Sequence, residues 1–237
     1  MKKINLIYTV VLAACVLMFA SCKRDYIVGG QPTNVDQFKN ITSYDFLMSN
    51  PLFDTLVRVI DAAGLKDKVN QQNLTFFVPT DNSVYNYLNL KTIELQKVNP
   101  LNKFPLDSLL KYITANTAGT KDSLLMYMLG QPVSYSNLTV SGKIYTTELK
   151  GDTAIVSYEF TRDGNLGYNS VVSNAPQLVY FTHLWRHYDL NDINTAALVP
   201  SKIGVRSLAQ TSGINTKTGI LHILSNSNVL FFFGTRQ

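Results

Sequence analysis

Leu74-Thr75-Phe76-Phe77-Val78-Pro79-Thr80-Asp81 carries the sharpest local signals in this sequence. Its first five residues are too few, and too β-branched and aromatic, for a helix. They predict a buried strand, stopped at Pro79 because proline cannot donate to a ladder. Thr80 can then cap a helix over residues 81–90, in which Val84, Tyr87 and Leu88 share a face. Upstream, Asn50 and Pro51 read as an N-cap followed by proline at the first helical position, where a missing N–H costs nothing. Leu52, Phe53, Leu56, Val57, Ile60 and Ala63 follow at helical spacing, and Gly64 stands where a left-handed residue closes a helix. Another turn or two of helix is expected over residues 65–69.

This order of helix, glycine, strand, Pro-Thr-Asp and helix resembles the fasciclin domain family. The family's first signature has the form Thr-x-Phe-Ala-Pro-Thr-Asp/Asn and stands here as Thr75-Phe76-Phe77-Val78-Pro79-Thr80-Asp81. Its second, Asn-Gly-x-x-His-x-x, is similar to Thr218-Gly219-Ile220-Leu221-His222-Ile223-Leu224. The resemblance is best over residues 44–88, 124–138 and 214–230. It implies an α+β fold, a fasciclin-like wedge of two small β-sheets with N-terminal helices packed against it. Thr75, Phe77, Pro79, Thr80, Asp81, Tyr127, Gly219 and His222 are then structural motif residues. The family carries a Tyr-His pair where this chain has Tyr127 and Met128; the lost histidine argues against an integrin-type role, while Met is a good core filler. In the family the histidine matching His222 ties the last strands to the Thr-Asp region, which implies Thr75, Thr80 or Asp81 as its partner. Fasciclin domains are adhesion and matrix-interaction modules, so the resemblance implies a non-enzymatic binding role.

The N-terminus reads as a secretory signal over residues 1–21, with Lys2 and Lys3 ahead of an apolar run. That run ends Phe19-Ala20-Ser21-Cys22, which looks like a lipobox with Phe19 in place of the usual leucine; Cys22 would carry the lipid. An uncleaved anchor is the rival, but the run is at the short limit for a span. Cys15 lies inside the signal, so no disulfide is expected and stability must come from the core. The net charge of +5 falls by two once Lys2 and Lys3 leave, too weak a bias to point to nucleic acid. Residues 22–34 read as a tether and residues 35–237 as a single fasciclin-like domain with long insertions. The expected location is the cell envelope, lipid-anchored in the outer membrane, with the leaflet open because no acidic run follows Cys22.

After residue 90 the chain is mixed as far as Phe104, and Pro105 opens a helix with Leu106, Leu109, Leu110 and Ile113 on one face. Residues 122–130 read as a short helix passing into a strand. The pattern then changes to period two: residues 143–149, 153–160 and 177–185 are strand candidates, followed by 203–208, 219–224 and a closing strand over 228–233. Ile155, Ser157 and Glu159 alternate with Val156, Tyr158 and Phe160, which predicts one buried and one wet face. No second copy of Pro-Thr-Asp occurs.

No catalytic residues and no cofactor are indicated. A Gly-x-Ser-x-Gly elbow, paired carboxylates near a cleft signal and a glycine-rich phosphate loop are all missing from the sequence. His183 and His187 would share a helix face, but residues 179–185 read as a strand, where positions four apart lie about 13 Å from each other; no metal site is expected. His222, between apolar residues, reads as a satisfied core histidine. Tyr168, Trp185 and Tyr188, with Phe38, lie in polar surroundings and are the candidates for a partner-binding platform, with recognition expected over residues 142–210. Asp-Thr/Ser-apolar triplets at Asp54, Asp107, Asp122 and Asp152 resemble an O-glycosylation acceptor, and helix-start chemistry explains several of them equally well. The leading function is a lipid-anchored envelope module binding a protein or glycan. The alternatives are an accessory subunit or hydrolase acting on envelope or dietary glycans, or a structural partner of an outer-membrane transport complex.

Overall fold

The computed structural model describes residues 37–166, 175–186 and 203–235. Helix α1 (Ser43–Met48) leads through a 3-10 turn (Pro51–Phe53) into α2 (Asp54–Ala63) and α3 (Lys66–Val69). Strand β1 (Leu74–Val78) follows, then α4 (Asp81–Gln96), α5 (Leu106–Thr114) and a 3-10 segment (Asp122–Tyr127) that runs into β2 (Met128–Leu129). The remaining strands are β3 (Lys143–Thr146), β4 (Thr153–Phe160), β5 (Gln177–Leu184), β6 (Gly204–Asn215) and β7 (Gly219–Leu224), with a last 3-10 turn at Leu230–Phe232.

Local chemistry sets most of these boundaries. Asn50 Oδ1 accepts the Leu52 N–H at 3.1 Å, but the first turn after Pro51 is 3-10, so α2 proper starts at Asp54. Gly64 closes α2 at φ +63°, and the Gly64 and Leu65 amides donate back to Asp61 O and Ile60 O, the pattern that satisfies the last carbonyls of a helix. Helix α4 runs past residue 90 to Gln96 because Lys91, Glu94, Leu95 and Gln96 are good helix formers, and Lys91 pairs with Glu94 at 2.6 Å.

The α+β class and the helices against the sheet are as the sequence predicts, but the two small sheets are joined. The strands form one seven-stranded sheet in the order β2-β1-β7-β6-β5-β4-β3. Strands β1 and β7 are parallel, with Thr75 opposite Ile220 and Phe77 opposite His222, and the other pairs are antiparallel. The joint is β6, a 12-residue strand whose pairing with β7 slips between Ala209 and Thr211 and again between Thr211 and Ile214. Bulges bend and twist a strand locally, so one strand serves both halves of the sheet. The two ends of the sheet meet where Leu129 bridges Thr147 and the Glu148 amide donates to Met128 O at 2.8 Å.

All five side chains of β1 are buried, as a near-continuous apolar run flanked by strands on both sides requires. Phe77, Phe181, Phe232 and Tyr127 pack ring against ring in the core, and Phe53, Leu56, Ile60, Leu109 and Ile113 join it from the helical layer.

Two strand expectations are corrected. The first five residues of β4 are buried on both faces, and only Phe160, at 62 % exposed, is well in solvent. The expected wet face is covered in part by Gly142, where a Cβ would stand 2.6 Å from Ile155 Cγ2 and 3.2 Å from Ser157 Cβ. The expected closing strand over 228–233 is instead a tight turn in which Phe231 and Phe232 have φ of +61° and +50°, because the aromatic side chains are drawn into the core between Tyr127 and Tyr87.

Candidate functional site

Several motif residues bond main-chain groups of other elements. Thr75 Oγ1 donates to Gln131 O and accepts the Val133 N–H, both at 2.8 Å, and so holds residues 131–133 against β1. Buried Pro79 ends the strand. Thr80 takes the N-cap position of α4, with its amide donating to Ser83 Oγ at 3.3 Å and its hydroxyl to Asn226 Oδ1 at 2.9 Å. Asp81 reaches elsewhere: its carboxylate accepts the Thr55 N–H at 2.9 and 3.0 Å and the Leu56 N–H at 2.9 Å. A carboxylate at a helix N-terminus satisfies orphan amides and meets the positive end of the dipole. The Pro-Thr-Asp corner therefore starts one helix and caps another.

His222 is fully buried, with its ring stacked on Phe77 at 4.8 Å and 12°. Its partner is not Thr75, Thr80 or Asp81. Nε2 donates to Val133 O at 2.9 Å and Nδ1 accepts the Gly213 N–H at 3.3 Å, which together define a neutral imidazole. Thr75 and His222 thus grip the same residue, Val133, by its amide and its carbonyl. Burial pushes the His222 pKa down to about 4. Tyr127 is equally buried; its hydroxyl oxygen accepts the Phe231 N–H at 2.8 Å and pins the C-terminal turn, and burial raises its pKa. Met128, in place of the family's histidine, lies in the core opposite Phe76. Gly219 faces Leu74 across the β1–β7 pair, where a Cβ would stand 2.0 Å from Leu74 O, so no side chain fits.

Of the platform candidates, Trp185 lies just beyond β5, half-buried, with an indole N–H that is buried and has no hydrogen-bond partner. Tyr168 and Tyr188 lie outside the described residues, as do Cys22 and His187. Phe38 is no free platform, for it packs edge-on against Phe46 at 4.8 Å. His183 stacks on Phe232 at 4.7 Å and 5°; burial moves its pKa down to about 4, and its Nδ1 has no partner. Among the described residues no cluster of three or more His, Cys, Asp or Glu side chains could hold a metal ion. Of the triplet hydroxyls, Thr55 and Thr153 are buried, and Ser108 and Ser123 are half-buried.

The sequence gives no warning of a polar cleft of about 390 Å³ at the β6–β7 hairpin. It is lined by Lys39, Gln72, Asn73, Pro132 and residues 215–220. Its floor is firmly held: Thr216 and Thr218 hydroxyls bond Ser43 at 2.8 to 3.0 Å, and the Lys217 amide donates to Ile41 O at 2.8 Å. These contacts span more than 170 residues of sequence separation, and no local motif signals them.

A fasciclin domain model matches residues 51–179. That match stops inside β5, whereas the sheet continues through β6 and β7. No curated protein matches the chain. Among solved structures, a FAS1 domain pair from the insect cell adhesion molecule Fasciclin I aligns at 14% identity with a TM-score of 0.43, covering 78% of this chain and 50% of that one. The chain thus corresponds to half the length of that structure. The family match spans more than half of the 237 residues, and on that match the chain belongs to the fasciclin domain family.

Proposed function

We propose that this chain is a non-enzymatic adhesion or binding module of the cell envelope, anchored in the outer membrane through lipid on Cys22 and recognising a protein or glycan. One fasciclin-like domain over residues 35–237 would stand off the bilayer on the tether of residues 22–34. The observation that supports the binding reading best is how the motif's polar groups are spent. Thr75, Asp81, Tyr127 and His222 each bond main-chain groups inside the fold, so they are committed to holding it together. Partner recognition then falls to surface features, where the half-buried ring of Trp185 offers an aromatic anchor.

Two experiments test this. Cys22→Ala should release the protein from membranes and abolish fatty-acid incorporation; unchanged membrane association and lipid content would refute the anchor. A ligand found by glycan array or by pull-down from envelope extracts should bind Trp185→Ala about tenfold more weakly or worse, with melting unchanged. Turnover of the bound glycan by the purified protein would instead favour the hydrolase reading.

A further inference from the structure

We infer that the cleft at the β6–β7 hairpin is a binding site for an acidic saccharide, one whose sugar units carry carboxylates. It lies at the opposite end of β6 from Trp185, which follows the strand paired with the start of β6, and so is a second site independent of the first. Its volume of about 390 Å³ falls in the lower part of the range of about 300 to 1,000 Å³ usual for small-molecule sites.

The lining specifies the chemistry. Lys217 stands on it, and among the described residues the lining includes no carboxylate, so the cleft favours an anion. Three carboxamides, Gln72, Asn73 and Asn215, line it as well; each presents both a donor and an acceptor, the match for a hydroxyl that must do both. Among the described residues the side chains of Gln72, Asn73, Asn215 and Lys217 have no intramolecular hydrogen bond or ion pair, so the fold does not consume them. Pro132 and Ile220 supply an apolar wall for the C–H face of a sugar ring. The floor is already rigid, because the Ser43, Thr216 and Thr218 hydroxyls bond one another, and a preformed site spends little of its binding energy on ordering itself.

An acidic peptide shares the charge but suits the site less. Peptides commonly dock by adding a strand to an open sheet edge, and the strands beneath this cleft have none: β1 lies between β2 and β7, and β7 between β1 and β6.

The test uses the full chain in detergent, titrated with a short oligomer of uronic acid, the same oligomer after reduction of its carboxyl groups, and an Asp-rich peptide of equal charge. Saturable binding of the uronate is expected, with the reduced form about tenfold weaker or worse, and with amide NMR shifts concentrated at residues 72–73 and 215–220. Lys217→Glu and Gln72→Ala, both at exposed positions and checked for an unchanged melting curve, should each weaken the uronate and leave any Trp185-dependent ligand untouched. No saturable uronate binding, equal binding of the reduced oligomer, tighter binding of the peptide, or full affinity in both variants would each overturn the proposal.

Discussion

Lowering the pH from about 7.5 to about 5 should remove about 2 kcal/mol of folding stability through His222 alone. In the folded chain burial holds this imidazole at a pKa of about 4, against 6.5 for a free histidine. Nδ1 accepts the Gly213 N–H, so a proton there must displace that bond as well. The unfolded chain takes up its proton near 6.5, the folded one not until about 4. Between those values the unfolded state binds more protons, and stability therefore rises with pH. The contribution is fully present above about 6.5, is lost progressively as the pH falls, and is gone below about 4, where the total comes to about 3 kcal/mol at about 1.4 kcal/mol per pKa unit. His183, also held near 4 by burial, adds a loss of the same sign. Urea denaturation followed by far-UV circular dichroism at a series of pH values measures the slope. Comparison with His222→Gln isolates it, because glutamine can donate to Val133 O but does not titrate. The variant should be less stable than the parent at about pH 7.5, and that gap should narrow by about 2 kcal/mol by about pH 5. A gap that stays constant across the range would refute the assignment of a buried neutral imidazole.

Removing the Asp81 carboxylate leaves the Thr55 and Leu56 amides without their acceptor, so Asp81→Ala should cost about 2 kcal/mol in urea denaturation, and Asp81→Asn, which keeps one acceptor oxygen, about half as much. Gly219→Ala drives a methyl group into Leu74 O and should destabilise by about 3 kcal/mol or prevent soluble expression; Gly164→Ala, where a Cβ meets nothing within 4 Å, is the control expected to melt like the parent. Tyr127→Phe should cost about 1 to 2 kcal/mol, since the part-buried Phe231 N–H loses its partner while the ring packing survives; denaturation indistinguishable from the parent would show that water replaces the phenol there.

What was readable in advance rests on short-range chemistry. Leu74 to Val78 could be assigned as a buried strand because its residue types and length leave no other use for it, and Gly64 as a helix stop because few other residues tolerate φ near +63°. The β-branched and aromatic run of β4 and the Pro-Thr cap of α4 were legible on the same grounds. The candidate site was legible only in part: His222 reads as a core residue from its apolar neighbours, but its bond to Val133, 89 positions away, leaves no trace in local pattern.

The amino-acid sequence by itself determined the family, the α+β class and most element starts, because caps, proline stops and hydrophobic spacing act over a few residues. Tertiary structure alone decided that the expected two sheets are one, bent at the slips in β6, since a bulge is defined only by the strand paired against it. It also decided that Asp81 serves the helix before it, that Val133 joins Thr75 to His222, and that Lys39, Gln72 and Lys217 share a cleft. Each of these joins groups far apart along the chain. Such contacts form only when the closure entropy of long loops is offset by burial elsewhere, and that balance belongs to the whole fold and not to any stretch of it.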